Sequence, residues 1–372
     1  MSREVRDNFS DDINSTFTLK HSTMIQPLRD IQTAQGATLE DSTTVPLSFG
    51  NDSKAIAATQ SGVALCDRSH WGLLQISDED RLRFLHNQST NNIQSLQPGQ
   101  GCDSVFVSST ARTIDLTTFY VTEDAVLILV SPNRRQMLID WLDRYIFPMD
   151  RVELKDISDQ NAIFSLIGPQ SHQLLESLGI TPLTDQPYAT HQQVEIENIP
   201  VRVAVGSGLT TTGYTLIVSV DHAVSIWKTL IGSGAIAMGN RIWEQLRIEQ
   251  GRPFPDSELT DDYNPLEAGL WQTISFEKGC YIGQETIARL NTYKGVKQKL
   301  WGLKLEAPVT VGTEIKVEDK KIGTLTSFIQ TESEFLGLGY IRTKAGGKGL
   351  KVKVGTVEGE VIEVPFLTHP AE

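Results

Sequence analysis

The feature that most constrains the fold of this 372-residue chain is a change of hydrophobic pattern at about Lys294. Beyond it, apolar residues recur at every second position between glycine-containing turns, and no helical period of any length intervenes. Six short strands are predicted there: Leu300–Leu305, Thr313–Val317, Ile322–Ile329, Phe335–Ile341, Leu350–Val354 and Val361–Phe366. We therefore expect a small C-terminal β-barrel over residues 294–372.

The preceding region, residues 29–293, alternates short apolar strands with helices. Leu73–Ile76 leads through a polar break into one helical pattern, and a strand at 126–130 leads through Ser131 and Pro132 into another. Ser131 is predicted to be the N-cap and Pro132 the first helical residue. Similar units begin at 163 and 215, so split β-α-β modules are expected. Residues 1–28 are polar and aperiodic, which predicts a mobile N-terminal extension.

Composition excludes several classes of partner. No apolar run approaches the length of a bilayer span, so no membrane partner is expected. The net charge is −13, although from Asn291 onward 12 Lys and Arg face 10 Asp and Glu. The acidic remainder disfavours nucleic-acid binding. The first twelve residues include four acids and no apolar core, unlike a secretory signal or a transit peptide. A cytoplasmic location is expected, or a plastid or mitochondrial one if a targeting segment was removed.

The cysteines and histidines show no metal-binding pattern. Cys66, Cys102 and Cys280 form no C-x-x-C pair, so we expect reduced thiols. The seven histidines show no H-x-x-x-H spacing, and no metal site is expected.

One stretch of eight residues, Lys278–Glu285, combines a thiol, two glycines, a lysine and a carboxylate, and is called the octet below. Gly279 and Gly283 permit a positive φ, and the apolar residues after them indicate a helix that begins near Gln284. Cys280 then lies just before a helix N-terminus. The N–H groups there, together with the charge of Lys278, favour a thiolate and suit an anionic ligand. The alternative is a buried structural cysteine in a glycine-rich turn.

The octet resembles the signature of the YgfZ family, folate-binding proteins built like the T-protein, the aminomethyltransferase of the glycine cleavage system. Other segments are similar to this superfamily in the same order: Gly62–His70, Pro98–Gly99, Thr113–Asp115, Leu246–Pro253 and Asn264–Leu270. The likeness runs from about Ile31 to the C-terminus. It implies an α+β fold in which two α+β lobes and the C-terminal barrel form a ring around a central folate-binding cavity.

The resemblance also implies a cofactor and a set of site residues. The cofactor is tetrahydrofolate or a one-carbon derivative, and the implied partners are iron–sulfur proteins or their assembly factors. The candidate catalytic residues are Cys280 and Lys278. The candidate folate contacts are Asp115, Tyr214, Arg247, Glu267, Gln284 and Glu285. For Glu267, on a loop expected to line the cavity, a hydrogen bond to the backbone is the alternative role.

Two positions depart from the T-protein pattern. Where that pattern has two adjacent acids, this chain keeps Asp115 and has Leu116 in place of the second. Leucine can neither ionise nor accept a hydrogen bond. Tyr214 stands where the T-protein has a glutamate, and a phenol cannot supply the paired charge-assisted contacts of a carboxylate. The pattern therefore favours folate binding over aminomethyl transfer.

Three functions remain compatible with these residues. The first is a YgfZ-type folate-binding protein that supports assembly or repair of iron–sulfur enzymes, with Cys280 as its functional thiol. The second is an aminomethyltransferase or other folate-dependent one-carbon transferase, which requires that Asp115 suffice as the acid. The third is a folate-independent cysteine-nucleophile enzyme, and the absence of a histidine near Cys280 in sequence weighs against it.

Overall fold

The computed structural model describes residues 24–39, 45–181 and 183–369. The helices in these ranges are α1 (24–34), α2 (Asp52–Ser61), α3 (Arg81–Gln88), α4 (Arg135–Asp143), α5 (Ser171–Ser177), α6 (Ala223–Gly232), α7 (Asn240–Gln250) and α8 (Gln284–Thr292). The strands are β1 (Thr38–Leu39), β2 (Pro46–Ser48), β3 (Ala64–Asp67), β4 (Gly72–Ser77), β5 (Gly101–Val107), β6 (Thr113–Val121), β7 (Ala125–Val130), β8 (Glu153–Asp156), β9 (Asn161–Ile167), β10 (His191–Ile196), β11 (Ile199–Val205), β12 (Gly213–Ser219), β13 (Ile236–Met238), β14 (Gln298–Leu305), β15 (Glu314–Val317), β16 (Lys320–Gln330), β17 (Phe335–Arg342), β18 (Lys351–Val354) and β19 (Val357–Ile362).

The strands form two large sheets and a barrel. The first lobe contains a six-stranded sheet in the order β10-β11-β12-β9-β3-β13, and the second lobe a five-stranded sheet in the order β5-β6-β7-β4-β8. Strands β14 to β19 close into a six-stranded barrel, and β1 pairs with β2 separately. The expected α+β architecture with a C-terminal barrel is confirmed.

Each large sheet has one face under helices and one face toward the other lobe. On the outer face of the first lobe, apolar residues of β9 and β12 pack against α1, α5 and α6. On the outer face of the second lobe, β4, β6 and β7 pack against α3 and α4. The inner faces share a third core, to which Trp71, Tyr120, Ile217 and Trp243 contribute. Alternation along a strand therefore decides whether a side chain faces a helix or the space between the lobes.

The strand-to-helix units and the barrel follow the predicted pattern, with two local differences. Ser131 precedes a short 3-10 turn at Pro132–Arg134, but its side chain makes no capping hydrogen bond. Its hydroxyl donates instead to Asp115. The last barrel strand is β19, Val357–Ile362, about four residues before the predicted position. Gly355, with φ of 63°, lets the chain reverse immediately after β18, so that Val354 pairs with Val357.

The predicted N-terminal extension needs a correction at its end. Residues 1–23 lie outside the described residues, but 24–28 belong to α1. Ile25 and Leu28 are buried in the first lobe because their three-residue spacing places them on one face of that helix. Arg29 then pairs with the buried carboxylate of Asp67 at 2.5 Å. Among the described helices, none is both long and apolar enough to cross a membrane.

Candidate functional site

The octet packs over the turn between β5 and β6. Gly283 has φ of 81°, and a Cβ atom there would lie 2.8 Å from the carbonyl oxygen of Ser108. Both its conformation and its close approach therefore require glycine. Helix α8 begins at Gln284, as predicted, and the Gln284 side chain accepts a hydrogen bond from the N–H of Tyr281 at 3.3 Å. Glu285 is exposed in the first turn of α8.

Lys278 is buried against the C-terminal end of α3. Its ammonium group donates to the backbone carbonyls of His86, Ser89 and Asn91 at 2.5, 2.7 and 2.7 Å. Carbonyl groups at a helix C-terminus favour a cation, and only the protonated amine has three N–H groups to donate. Burial acts in the opposite direction and lowers the pKa of Lys278 to about 7. The Lys278 side chain therefore joins the octet to the second lobe.

The three thiols lie in different environments. Cys280 is exposed, which argues against the alternative of a buried structural cysteine. Cys66 is buried in the core between the lobes. Cys102 lies within β5. Burial raises the pKa of both Cys66 and Cys102 to about 12. Of the three, only Cys280 combines access to solvent with a position beside a helix N-terminus.

Asp115 does not face the space between the lobes. Its two carboxylate oxygens accept hydrogen bonds from the N–H of Ser131 at 2.8 Å and from its hydroxyl at 2.6 Å. Asp115 pairs with Phe106, which packs among the helices of the second lobe, so the carboxylate points to the outer face. Burial raises the pKa of Asp115 to about 6. These contacts give the carboxylate a structural role, because they join the start of β6 to the residue that follows β7.

Tyr214 lies on the outer face of the first lobe. Its ring is buried in the helix-covered core, and its hydroxyl lies 3.2 Å from Nδ1 of His172 on α5. Burial raises its pKa. The neighbouring residue Thr215 is the one that points inward. Asp115 and Tyr214, both expected to line the central cavity, are thus each one residue out of phase with the inner face of their sheet.

Arg247 and Glu267 also have partners within the protein. Arg247 pairs with Glu244 on the same helix and with the fully buried Glu258 at 3.1 Å, and it donates to Ser327 of the barrel at 3.0 Å. Glu267 accepts a hydrogen bond from the N–H of Asn264 at 3.1 Å, which is the alternative that its sequence allowed. Burial raises the pKa of Glu267. Both side chains are therefore held by partners within the protein.

A set of polar residues that sequence reasoning missed lies between the lobes. Asp103 of β5 accepts a hydrogen bond from Thr118 of β6 at 2.6 Å, and Tyr188 lies 3.4 Å from the same hydroxyl. Two buried guanidinium groups, Arg68 and Arg252, lie close enough to act on Asp103 electrostatically. We call these five residues the inter-lobe cluster. Its signal in the sequence was the alternation along β5 and β6, which places Asp103 and Thr118 opposite one another on the inner face.

The partly accessible surface at Asp103 and Tyr188, beside the buried arginines of the inter-lobe cluster, is called the recess below. Asp103 is partly accessible and Tyr188 is 39% exposed, yet the surrounding protein desolvates both groups and raises their pKa values. Two glycines let the side chains of the cluster pack closely on the backbone: a Cβ atom at Gly206 would lie 2.2 Å from the Tyr188 ring, and one at Gly208 2.6 Å from Arg68.

The charges of this recess suit a particular kind of ligand. Arg68 donates to Ser165 at 3.2 Å and stacks on Trp71 at 3.9 Å. Arg252 donates to the carbonyl oxygen of Gly208 at 2.8 Å. Two guanidinium groups and one carboxylate leave a net positive charge, which favours an anionic ligand, while the carboxylate accepts from N–H groups. The aromatic faces nearby provide flat apolar surface.

A cavity of about 410 Å³ is lined by both lobes. Its wall contains Leu73, Asp124, Arg202, Ile217 and His222, but none of the predicted site residues and none of the inter-lobe cluster. The two recesses are therefore separate features of the interface between the lobes.

Comparisons with known proteins agree with this architecture. A protein of Arabidopsis thaliana named "Putative transferase At1g60990, chloroplastic" is 48% identical over 348 residues, which cover 92% of this chain and 80% of the relative. An aminomethyltransferase of Halothermothrix orenii is 27% identical and matches 92% of this chain and 99% of its own length.

The structural comparison addresses the fold alone. The crystal structure of the glycine cleavage system aminomethyltransferase T from Bartonella henselae matches with a TM-score of 0.81, over 92% of this chain and 97% of that protein, at 20% identity. The family model of the GCVT N-terminal domain matches residues 28–278, about two thirds of the chain. On this evidence, the chain belongs to the GCVT family.

Proposed function

We propose that this protein binds tetrahydrofolate or a one-carbon derivative between its lobes and supports the assembly or repair of iron–sulfur proteins, with Cys280 as its functional thiol. The observation that carries the proposal is the exposed Cys280 at the start of α8, within a YgfZ-like octet, on a GCVT-family fold. The residues of the recess fit the pterin end of a folate: Asp103 can accept from its N–H groups, and the positive charge of the nearby guanidinium groups suits its carbonyl oxygen.

The residues at two positions weigh against glycine-cleavage chemistry. Leu116 is fully buried in an apolar cluster shared by β5, α7 and the barrel. It has no proton to transfer, and loss of a positioned acid or base costs about a hundredfold or more in rate. Tyr214 points away from the recess. For the location of the protein, the chloroplastic name of the Arabidopsis relative adds a plastid to the cytoplasm as a candidate compartment.

Fluorescence titration tests folate binding. Trp71 contacts Arg68 and lies 5.2 Å from Arg252, so a ligand in the recess should quench its emission. Reduced folates should bind saturably, and Trp71→Phe should remove most of the quenching. Trp141→Phe is the matched control, since Trp141 packs on the outer face of the second lobe. No saturable binding of tetrahydrofolate or 5-formyltetrahydrofolate would reject the folate proposal.

Complementation tests the role of the thiol. In a strain that lacks a YgfZ-type protein and has low iron–sulfur enzyme activity, the wild-type chain should restore activity and Cys280→Ser should not. Cys102→Ser should complement, because Cys102 lies in β5, where burial raises its pKa to about 12. Full complementation by Cys280→Ser would exclude an essential thiol.

One-carbon transfer is the alternative function. The names of the bacterial relatives favour it, and the recess does contain one acid, Asp103. Release of ammonia from an aminomethylated lipoyl protein in the presence of tetrahydrofolate, at a rate comparable with that of a bacterial aminomethyltransferase, would establish this alternative. We expect no such release.

A further inference from the structure

Among the carboxylates considered for the folate site, Asp103 is placed differently from the others. The register pairs Val105 with Leu116 and Asp103 with Thr118, so all four side chains share the inner face of the sheet. Asp103 is therefore a diagonal neighbour of Leu116, about 7 to 8 Å away between Cα atoms. The T-protein pattern has an acid where this chain has Leu116. This chain has an acid, Asp103, on the adjacent strand instead.

The hydrogen bonds of Asp103 leave it able to accept more. Thr118 donates to one of its oxygens, and the Tyr188 hydroxyl is a second donor to the carboxylate. An ionised carboxylate has about four acceptor positions, so a ligand can still be accommodated. Asp115 differs because it is inaccessible and both of its oxygens are occupied by Ser131.

The two arginines near Asp103 do not neutralise it by direct pairing. Within residues 24–39, 45–181 and 183–369, neither Arg68 nor Arg252 forms a salt bridge to a carboxylate within 4.0 Å, and Nε of the buried Arg68 has no hydrogen-bond partner. Their hydrogen bonds go to neutral acceptors, among them Ser165 and the carbonyl oxygen of Gly208, so their positive charge remains available to an anionic or electron-rich ligand group. The recess thus offers one acceptor and two donors of charge-assisted hydrogen bonds.

We propose that Asp103 is the acidic ligand contact of this folate site, accepting a hydrogen bond from an N–H group of the pterin in place of the acid that is absent at Leu116. This assignment rests on the proposed folate function. On this assignment, the acid that contacts folate lies on β5 in this chain, rather than on β6 as in the T-protein pattern.

Binding measurements on a set of isosteric variants test the assignment. Asp103→Asn keeps an acceptor for Thr118 but removes the charge, and it should weaken tetrahydrofolate binding by about tenfold to a hundredfold. Asp103→Glu keeps the charge and should bind within about tenfold of wild type, and more tightly than the asparagine variant. Asp124→Asn changes an exposed acid of the same lobe and should bind as wild type does. Isothermal calorimetry measures the dissociation constants, and circular dichroism establishes that each variant is folded.

The outcomes separate the two proposals. If the wild-type protein binds tetrahydrofolate and Asp103→Asn binds equally well, the assignment of Asp103 is overturned and the folate function stands. If the wild-type protein does not bind, both are overturned. Equal weakening by Asp103→Asn and Asp124→Asn would also reject a specific contact. Should Asp103→Asn fail to fold, Asp103→Ser takes its place as a second variant without the charge: binding as tight as that of wild type would overturn the assignment.

Discussion

The buried carboxyl group of Asp115 makes the stability of the protein depend on pH. Its pKa is about 6 in the folded protein, against about 3.9 for an unperturbed aspartate. The folded state binds this proton more tightly, so the free energy of unfolding decreases as the pH rises from about 4 to 6. Relative to Asp115→Asn, which cannot titrate, the free energy of unfolding of the wild-type protein should fall by about 2 kcal/mol between pH 4 and pH 7.

Urea denaturation of wild type and Asp115→Asn across this pH range measures the difference. Asp124→Asn is the control, since that carboxylate is exposed and should leave the pH dependence unchanged. Parallel curves for wild type and Asp115→Asn would contradict the prediction and indicate that folding does not shift the pKa of Asp115.

Thiol reactivity should distinguish Cys280 from the other two cysteines. Burial raises the pKa of Cys66 and Cys102 to about 12, so at pH 8 they are almost entirely protonated, whereas Cys280 is exposed. Iodoacetamide should add one carbamidomethyl group to the folded wild-type protein and none to Cys280→Ser. Mass spectrometry counts the adducts, and rapid modification of a second cysteine in the folded protein would refute the prediction.

At the scale of single residues, the sequence predicts backbone conformation better than it predicts which face of a sheet a side chain occupies. The glycines of the octet and the apolar residues after them were sufficient to place the start of α8 at Gln284. Asp115 and Tyr214, by contrast, were assigned to the cavity from a family pattern. A shift of one residue along a strand moves a side chain to the opposite face of the sheet. Asp103 was missed because its partner, Thr118, is fifteen residues away and only the strand pairing brings the two together.

The position of α8 depends on the glycine that precedes it. Gly283→Ala should destabilise the protein by more than backbone strain alone accounts for, because the added Cβ would collide with the β5–β6 turn. Gly179→Ala is the matched control: its φ is 78°, close to the 81° of Gly283, and nothing lies within 4 Å of the added atom.

Chemical denaturation compares the two variants. We expect a loss of about 1 kcal/mol for Gly179→Ala and of about 2 to 4 kcal/mol for Gly283→Ala. Equal losses of unfolding free energy in the two variants would show that the octet can move away from the β5–β6 turn without destabilising the protein.

The elements themselves were largely accessible from the sequence. Period-two alternation identified all six barrel strands because each buries one face. The error at β19 arose where alternation continues past the end of the strand, through Val364, which packs with α7 and the barrel residues in one cluster. The two-residue turn at Gly355 determines where β19 begins. Such a turn is a local feature that hydrophobic periodicity does not reveal.

For the molecule as a whole, the lobes and the barrel share buried charge. Glu258, in the loop after α7, is fully buried and accepts hydrogen bonds from Arg247, Thr326 and Ser327. The residues around it form one apolar cluster with contributions from both regions, including Val105, Leu116, Leu300 and Leu338. Separation of the lobes from the barrel would expose this cluster and leave charges without partners.

The shared cluster has a consequence for the predicted boundary between residues 293 and 294. Lys294 lies in an exposed turn, where a specific protease site can be inserted without disturbing the core. After cleavage, the two fragments should co-elute in native buffer and separate in urea, as measured by size-exclusion chromatography, and separate elution in native buffer would contradict this. The peptide bond between the two parts would then serve to bring them together during folding, while the Arg247–Glu258 contact and its apolar surroundings hold the two pieces as a noncovalent complex.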